Sequence, residues 1–232
     1  MLSRSNPCPP NGPLVWYVAY GSNLAARRFD CYLSGGRPTG GARHYAGCRD
    51  TRSPRRTLAL EVDGGLVFAG RSTVWGGGMA FYDPVASGRA ACRAYLVTAD
   101  QFADVIAQEM RRPAGDDFAR TLAEALPGVK TAQVMGPGCY ETVIRLGEQD
   151  QAPLLTVTVD ASERPPLAAP SLSYVRWVAA GLREAHGWSP AQVAAYLTSA
   201  PGARGAWTPE RVAEIAAAAP PCSQTHRNYI DP

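Results

Sequence analysis

Residues 16–20 (Trp-Tyr-Val-Ala-Tyr) form an unbroken run of bulky and apolar side chains, a composition that favours a strand. Gly21-Ser22-Asn23 follows at once, with residue types that tolerate sharp turns and hydrogen-bond their own backbone. Residues 24–29 read as the first turns of a helix. Residues 57–69 alternate around Asp63-Gly64-Gly65, which predicts a β-hairpin. Short apolar strands are expected at 79–82 and 92–97, separated by a turn at 83–88. Between 99 and 110 the period changes to that of a helix, with Phe102, Val105, Ile106 and position 109 on one face. A second helix runs through Phe118, Leu122 and Leu126 and stops at Pro127-Gly128. Residues 140–146 and 154–159 read as a second hairpin.

From residue 165 the pattern is helical. Ser171 is placed to cap a helix whose apolar stripe includes Tyr174, Trp177, Val178, Gly181 and Leu182, and Gly187 ends it. Ser189-Pro190 and Thr208-Pro209 start two more by a cap followed by proline. The pattern predicts an α+β fold, a small mixed β-barrel or curled sheet with surrounding helices. Residues 1–12 read as a loose N-terminal segment and 13–200 as the main domain. Residues 201–232 read as a helix and tail packed on that domain, the tail after Pro220 poorly ordered or draped on the surface.

Composition narrows the function without naming it. The chain has 232 residues, a net charge of +3 and 46% hydrophobic residues, enough to bury a sizeable core and too weakly basic to argue for nucleic acid. The basic run from Arg43 to Arg56 is interrupted by Asp50. It reads as a solvated loop or, if it has a role, as the mouth of a pocket for an acidic substrate. Cys8, Cys31, Cys48, Cys92, Cys139 and Cys222 are scattered, a spacing that fits reduced thiols in a cytoplasmic protein better than a disulfide framework or a metal site. The first twelve residues carry no apolar signal core, and nothing reaches the length of a membrane-spanning helix. The three histidines (His44, His186, His226) stand apart, and no phosphate-binding loop or Gly-x-Ser-x-Gly elbow occurs. The expectation is therefore a metal-independent protein without a cofactor, nucleic-acid or membrane partner. Its oligomeric state is not legible.

Glu109 is the candidate for chemistry. It shares the apolar face of its helix with Phe102, Val105 and Ile106, while Gln101, Asp104 and Gln108 fall on other faces. An ionised carboxylate facing a core is costly unless a partner compensates, and a carboxyl poised for proton exchange is what general acid–base catalysis needs. The competing reading pairs Glu109 with Arg111 or Arg112 at the rim. The strand-to-helix turn at Gly21-Ser22-Asn23 leaves backbone N–H groups free to bind an anion or oxyanion.

These pieces resemble the gamma-glutamyl cyclotransferase family. The carrying motifs are Tyr20-Gly21-Ser22-Asn23-Leu24, Trp75-Gly76-Gly77-Gly78, the strand and helix that end at Gln108-Glu109, and Pro170-Ser171 with Tyr174, Gly181 and Glu184. The resemblance implies a cofactor-free enzyme whose gamma-glutamyl substrate closes on itself and releases 5-oxoproline and an amine or amino acid. It implies Glu109 as the general acid/base, with Tyr20, Gly21, Ser22, Asn23, Leu24 and Tyr174 at the substrate. Packing alone equally explains Tyr174, and Trp75 reads more readily as core. Gly76 to Gly78 would let backbone approach a ligand or permit a bulge. The stretch 110–138 departs from the family pattern as an added segment, able to form a lid or reshape the leaving-group side. Two alternatives stay open: a non-catalytic module binding a small carboxylate or a protein partner, and a related amide hydrolase or acyl transferase.

Overall fold

The computed structural model describes residues 12–136 and 138–218. The expected looseness of the first residues and of the tail after Pro220 falls outside the described residues. In chain order the elements are β1 (Leu14–Ala19), α1 (Ala26–Leu33), β2 (Arg56–Asp63), β3 (Gly65–Ala69), β4 (Met79–Asp83), β5 (Arg89–Thr98) and α2 (Ala99–Glu109). They continue with α3 (Asp117–Ala125), β6 (Ala132–Val134), β7 (Thr142–Gln149), β8 (Ala152–Thr158), α4 (Leu172–His186), α5 (Pro190–Ser199) and α6 (Pro209–Ala218).

β1 organises the molecule. It pairs antiparallel with β5 and parallel with β8 in a six-stranded sheet of order β2-β5-β1-β8-β7-β6, while β3 and β4 form a separate two-stranded sheet. The order is linear, so the sheet is curled and open rather than a closed barrel. Successive side chains of a strand point to opposite faces. Trp16 and Val18 enter a core shared with Val178 and Leu182 of α4, Val193 of α5 and Ile215 of α6. Val15, Tyr17 and Ala19 enter a second core shared with Phe29 of α1, Phe102 and Ile106 of α2 and Leu122 of α3. A strand covered on both sides carries no polar face, which is why 16–20 shows no alternation.

The expected hairpin over 57–69 is corrected. Both strands exist, but β2 pairs with β5 and β3 with β4, so the Gly64 turn passes the chain from one sheet to the other. Burial explains the parting. β2 alternates between exposed and half-buried positions, as an edge strand does, whereas Leu66 to Ala69 are buried. Gly64 serves the crossing, with φ 117° and an N–H donated to the Gly88 carbonyl at 3.1 Å. The second hairpin forms as β7 and β8, with Asp150 and Gln151 in left-handed conformations at its tip.

The helix starts carry their expected caps. Ser171 accepts from the Tyr174 amide, Gly187 closes α4 at φ 67°, and Ser189 heads a capping box over Pro190. The helix after β1 begins later than expected: a single 3-10 turn (Ser22–Leu24) and the extended residue Ala25 precede α1. Gly77 and Gly78 serve a close approach of the protein's own backbone. A Cβ on Gly78 would lie 2.1 Å from the Ala168 carbonyl oxygen and one on Gly77 2.5 Å from the Ser171 nitrogen, so these glycines admit the segment that leads into α4.

Candidate functional site

The cavity opens where β1 gives way to the 3-10 turn. Two adjoining chambers share Ser22, Glu109, Tyr140 and Tyr174 in their walls. The smaller one, about 30 Å³ and named the inner chamber only for its place against β1, is completed by Tyr20, Gly21 and Asn23. The outer one, about 90 Å³, is bordered by Arg28, Arg43, Tyr45, Trp75 and Arg111.

Each wall residue is set by the element beneath it. Gly21 sits against α4: a Cβ there would come 2.9 Å from the Tyr174 hydroxyl and 3.2 Å from the Ala80 Cβ. That hydroxyl accepts from the Ala80 amide at 3.3 Å, tying α4 to β4 across the cavity floor. Burial pushes the Tyr174 hydroxyl up to about 12, and the Glu109 charge adds to the rise. Tyr20 commits its hydroxyl to the Val157 carbonyl at 2.7 Å. Asn23 donates to the Tyr17 hydroxyl at 2.9 Å and, in a longer contact of 3.4 Å, to Oε1 of Glu109, while its own Oδ1 is buried without a partner among the described residues.

Glu109 stands at the end of α2, half-buried, beyond Phe102, Val105 and Ile106, which are fully buried on the same helix face. Gln101, Asp104 and Gln108, expected on other faces, are buried as well. The loop between α1 and β2 wraps them. Asp104 accepts from the Arg49 side chain and backbone, Gln108 accepts from the Gly47 amide, and Gln101 donates to the Asp50 and Arg52 carbonyls. The helix is thereby clamped all round. The rim pairing weighed for Glu109 is taken elsewhere: Arg111 donates to Thr73 at 2.6 Å and Arg112 bonds Asp116 at 2.8 Å.

The cation beside Glu109 is one that sequence reasoning missed. Arg28, on α1, is 2% exposed. Its Nη2 donates to the Tyr32 and Tyr45 hydroxyls at 3.0 and 2.9 Å, and its guanidinium lies 4.3 and 4.6 Å from their ring centroids. Burial works against its charge, but Tyr32, Tyr45 and Glu109 outweigh it and leave its pKa above the ordinary value. Burial likewise raises Tyr32 and Tyr45, and the Glu109 charge adds to both. Arg28 lies four residues before Tyr32, one helical turn away; that spacing was the available signal, and the neighbouring Arg27 obscured it. Tyr140, also missed, donates to the Ala80 carbonyl at 3.0 Å and lies in both chamber walls.

The structure therefore brings together Glu109, Tyr20, Gly21, Ser22, Asn23 and Tyr174. Leu24 is a correction. It is fully buried in the core against α4, outside both chamber walls, because Gly181 leaves room for it there; its carbonyl accepts from Arg93 at 3.1 Å. Trp75 packs 5.7 Å from the Tyr174 ring and also borders the outer chamber. Of the basic loop, Arg43 reaches the chamber, while Arg49, Arg52 and Arg56 bond Asp104, Asp50 and Asp150. The added segment is no free lid. Leu122 of α3 is fully buried in the second core, and among the described residues only the segment's flanks, Arg111 and Cys139, reach the cavity. Among the described residues, no group of three or more His, Cys, Asp or Glu side chains is placed to hold a metal ion, and no helix is long and apolar enough to cross a membrane.

No protein-family profile matches the chain. It is similar, at 30% identity over 203 residues, to Histone deacetylase 5 of Arabidopsis thaliana; the alignment takes in 80% of this chain and 30% of that protein. This chain thus spans less than a third of the curated relative it matches. Among solved structures it is similar to a gamma-glutamyl cyclotransferase, with a TM-score of 0.45 and 14% identity, covering 88% of this chain and 98% of that one. A crystal structure of an uncharacterized protein from Homo sapiens gives a TM-score of 0.44, 14% identity and the same coverage.

Proposed function

We propose that this chain is a cofactor-free gamma-glutamyl cyclotransferase-type enzyme with Glu109 as its general acid/base. The observation that carries the reading is the meeting of Glu109 with the Gly21–Asn23 turn in one chamber wall, joined by the 3.4 Å contact from the Asn23 amide. In this reading the Glu109 carboxylate takes a proton from the substrate's α-ammonium group. The freed amine attacks the γ-carbonyl carbon of the same gamma-glutamyl group and forms the ring C–N bond. The proton passes from Glu109 to the departing nitrogen as the original amide C–N bond breaks. The ring nitrogen gives its remaining excess proton to the regenerated carboxylate, which hands it to the released amine, giving 5-oxoproline and an amine or amino acid in its ammonium form. The nucleophile belongs to the substrate, so the enzyme's work is orientation and proton transfer. The Oδ1 of Asn23, without a partner among the described residues, is an acceptor for the α-ammonium, and the N-terminal end of the 3-10 turn, which has no side-chain cap, offers a donor for the developing oxyanion.

The substrate expected is a soluble gamma-glutamyl small molecule. The deacetylase activity in the name of the Arabidopsis relative is not carried over, since the similarity takes in less than a third of that protein. A second reading, a module that binds a small carboxylate without turnover, is favoured by the buried cation Arg28 in the same cavity.

Release of 5-oxoproline from gamma-glutamyl amino acids and amines, wild type beside Glu109→Gln, separates the two. Turnover in the wild type that falls by roughly a hundredfold or more in the folded variant fits loss of a general acid/base. A Glu109→Gln protein as active as wild type refutes the mechanism.

A further inference from the structure

Arg28 holds more hydrogen-bonding capacity than the protein uses. Only Nη2 is engaged, by Tyr32 and Tyr45; Nε and Nη1 are buried with no partner among the described residues. Idle donors on a buried guanidinium are costly, and native proteins rarely leave them so without a ligand to accept from them. The side chain is also fixed in place, stacked against Tyr32 and Tyr45, with Trp75 5.6 Å away, so little rotamer freedom is lost when a ligand arrives. Its position is selective. Arg28 lines the outer chamber and is absent from the wall of the inner one, where the Gly21–Asn23 turn lies. Arg43 and Arg111, held by the Gln108 carbonyl and by Thr73, add positive potential around the same outer chamber. Glu109 in the shared wall sets a limit on the charge a ligand brings, which suits a monoanion better than a phosphate dianion.

We propose that Arg28 anchors a carboxylate carried by the leaving-group half of the ligand, making it a specificity-determining residue of the outer chamber. This inference rests on the reading of the cavity given above. The gamma-glutamyl half occupies the inner chamber against Glu109 and Asn23, and the carboxylate beyond the scissile amide accepts from the unused guanidinium N–H groups.

The test is binding rather than turnover, in the full chain carrying Glu109→Gln. Titration calorimetry compares gamma-glutamyl-alanine with gamma-glutamyl-alaninamide, which differ only in the terminal charge, in three backgrounds: Arg28, Arg28→Lys and Arg28→Met. With Arg28 present the acid binds tighter than the amide by roughly ten- to a hundredfold, the worth of a charge-assisted hydrogen bond. Arg28→Met levels the two, and Arg28→Lys, which keeps the charge without the planar fork, retains part of the preference. A merely structural role for Arg28 would weaken both probes alike and leave their ratio standing, which overturns the proposal. So does equal binding with Arg28 intact, or binding of neither probe. If Arg28→Met does not fold, the Lys variant alone decides, by whether the ratio moves. Should the wild type release no 5-oxoproline while the acid preference depends on Arg28, the anchor stands and the cyclotransferase reading falls. Release of 5-oxoproline with a preference indifferent to Arg28 leaves the cyclotransferase reading standing and removes the anchor.

Discussion

Replacing Gly181 by alanine tests how the turn beneath the cavity is seated. A Cβ at this position would lie 2.4 Å from the Leu24 Cβ, and 2.5 Å from both the Ala25 nitrogen and the Leu24 carbonyl carbon. Two of those three atoms are backbone and cannot rotate away. Ordinary contact lies near 3.5–4.0 Å, so α4 and the 3-10 turn must separate by about 1 Å. In a close-packed interior such a gap forfeits a quarter to a half of each affected contact, and overpacking of this kind costs about 1–3 kcal/mol. Alanine's better helix propensity returns at most about 1 kcal/mol. The net loss of up to about 2 kcal/mol corresponds to a Tm lower by up to roughly 8 °C for a chain of this size. The displacement also strains the bonds that Glu184 accepts from the Ala26 amide (3.3 Å) and from Arg93 (2.5 Å), so turnover falls together with stability. The control is Gly187→Ala, where φ is 67° and a Cβ would meet nothing within 4 Å. It costs about 1 kcal/mol from backbone strain alone and leaves turnover unchanged. Thermal melts and 5-oxoproline release on both variants decide the matter. A Gly181→Ala protein that melts at or above the wild-type temperature would mean that α4 does not press on the turn, and would refute this account of its seating.

Two further outcomes follow from the packing. Asp104→Ala removes a fully buried carboxylate and with it the partner of the half-buried Gly115 amide (2.8 Å) and of Arg49 (2.9 Å to its amide); urea unfolding should register a loss of about 2–4 kcal/mol, with faster amide exchange at Gly115, and an unchanged midpoint would refute the clamp. His186 is half-buried with Nε2 3.0 Å from the Cys92 carbonyl, and burial holds its pKa below the ordinary value. The unfolded chain then binds the proton more readily, so this residue's contribution is intact above about pH 6.5 and is lost as pH falls from there through the folded value. Denaturation midpoints between about pH 7 and 5 should decline less steeply in His186→Gln than in wild type, and identical slopes would exclude the linkage.

Much of the fold was legible because local signals agreed with the tertiary result. Ser171, Gly187 and the Ser189-Pro190 pair mark helix ends by their own chemistry, and the change of period at residue 99 marks α2. Pairing was less legible, since β2 and β3 meet a hairpin template while their partners lie farther along the chain, and no local rule reports which sheet a strand joins. At the site, Glu109 was found through its apolar helix face. Arg28 was not, because a guanidinium buried by aromatic rings from α1, from the loop after it and from residue 75 looks in sequence like any other helix cation. The burial of Asp104 and Gln108 went unread for the same reason: their partners belong to a loop with no periodicity of its own.

The cavity wall draws on residues 20–23, 28, 43, 45, 72–75, 109, 111, 140 and 174 among others, and this dispersal bears on how the protein comes into being. Chains fold from the N-terminus as synthesis proceeds, yet β1 lacks its parallel neighbour until Leu154 and Leu155 have been made. The Tyr174 hydroxyl, which closes the floor, arrives later still. A nascent chain that already contains the Gly21 turn, Arg28 and Glu109 holds every charged member of the site and none of its enclosure. Those groups stay in water, unable to act in concert, until α4 docks. The cavity is thus enclosed only once Tyr174 has been made and α4 has docked, well after its charged groups exist.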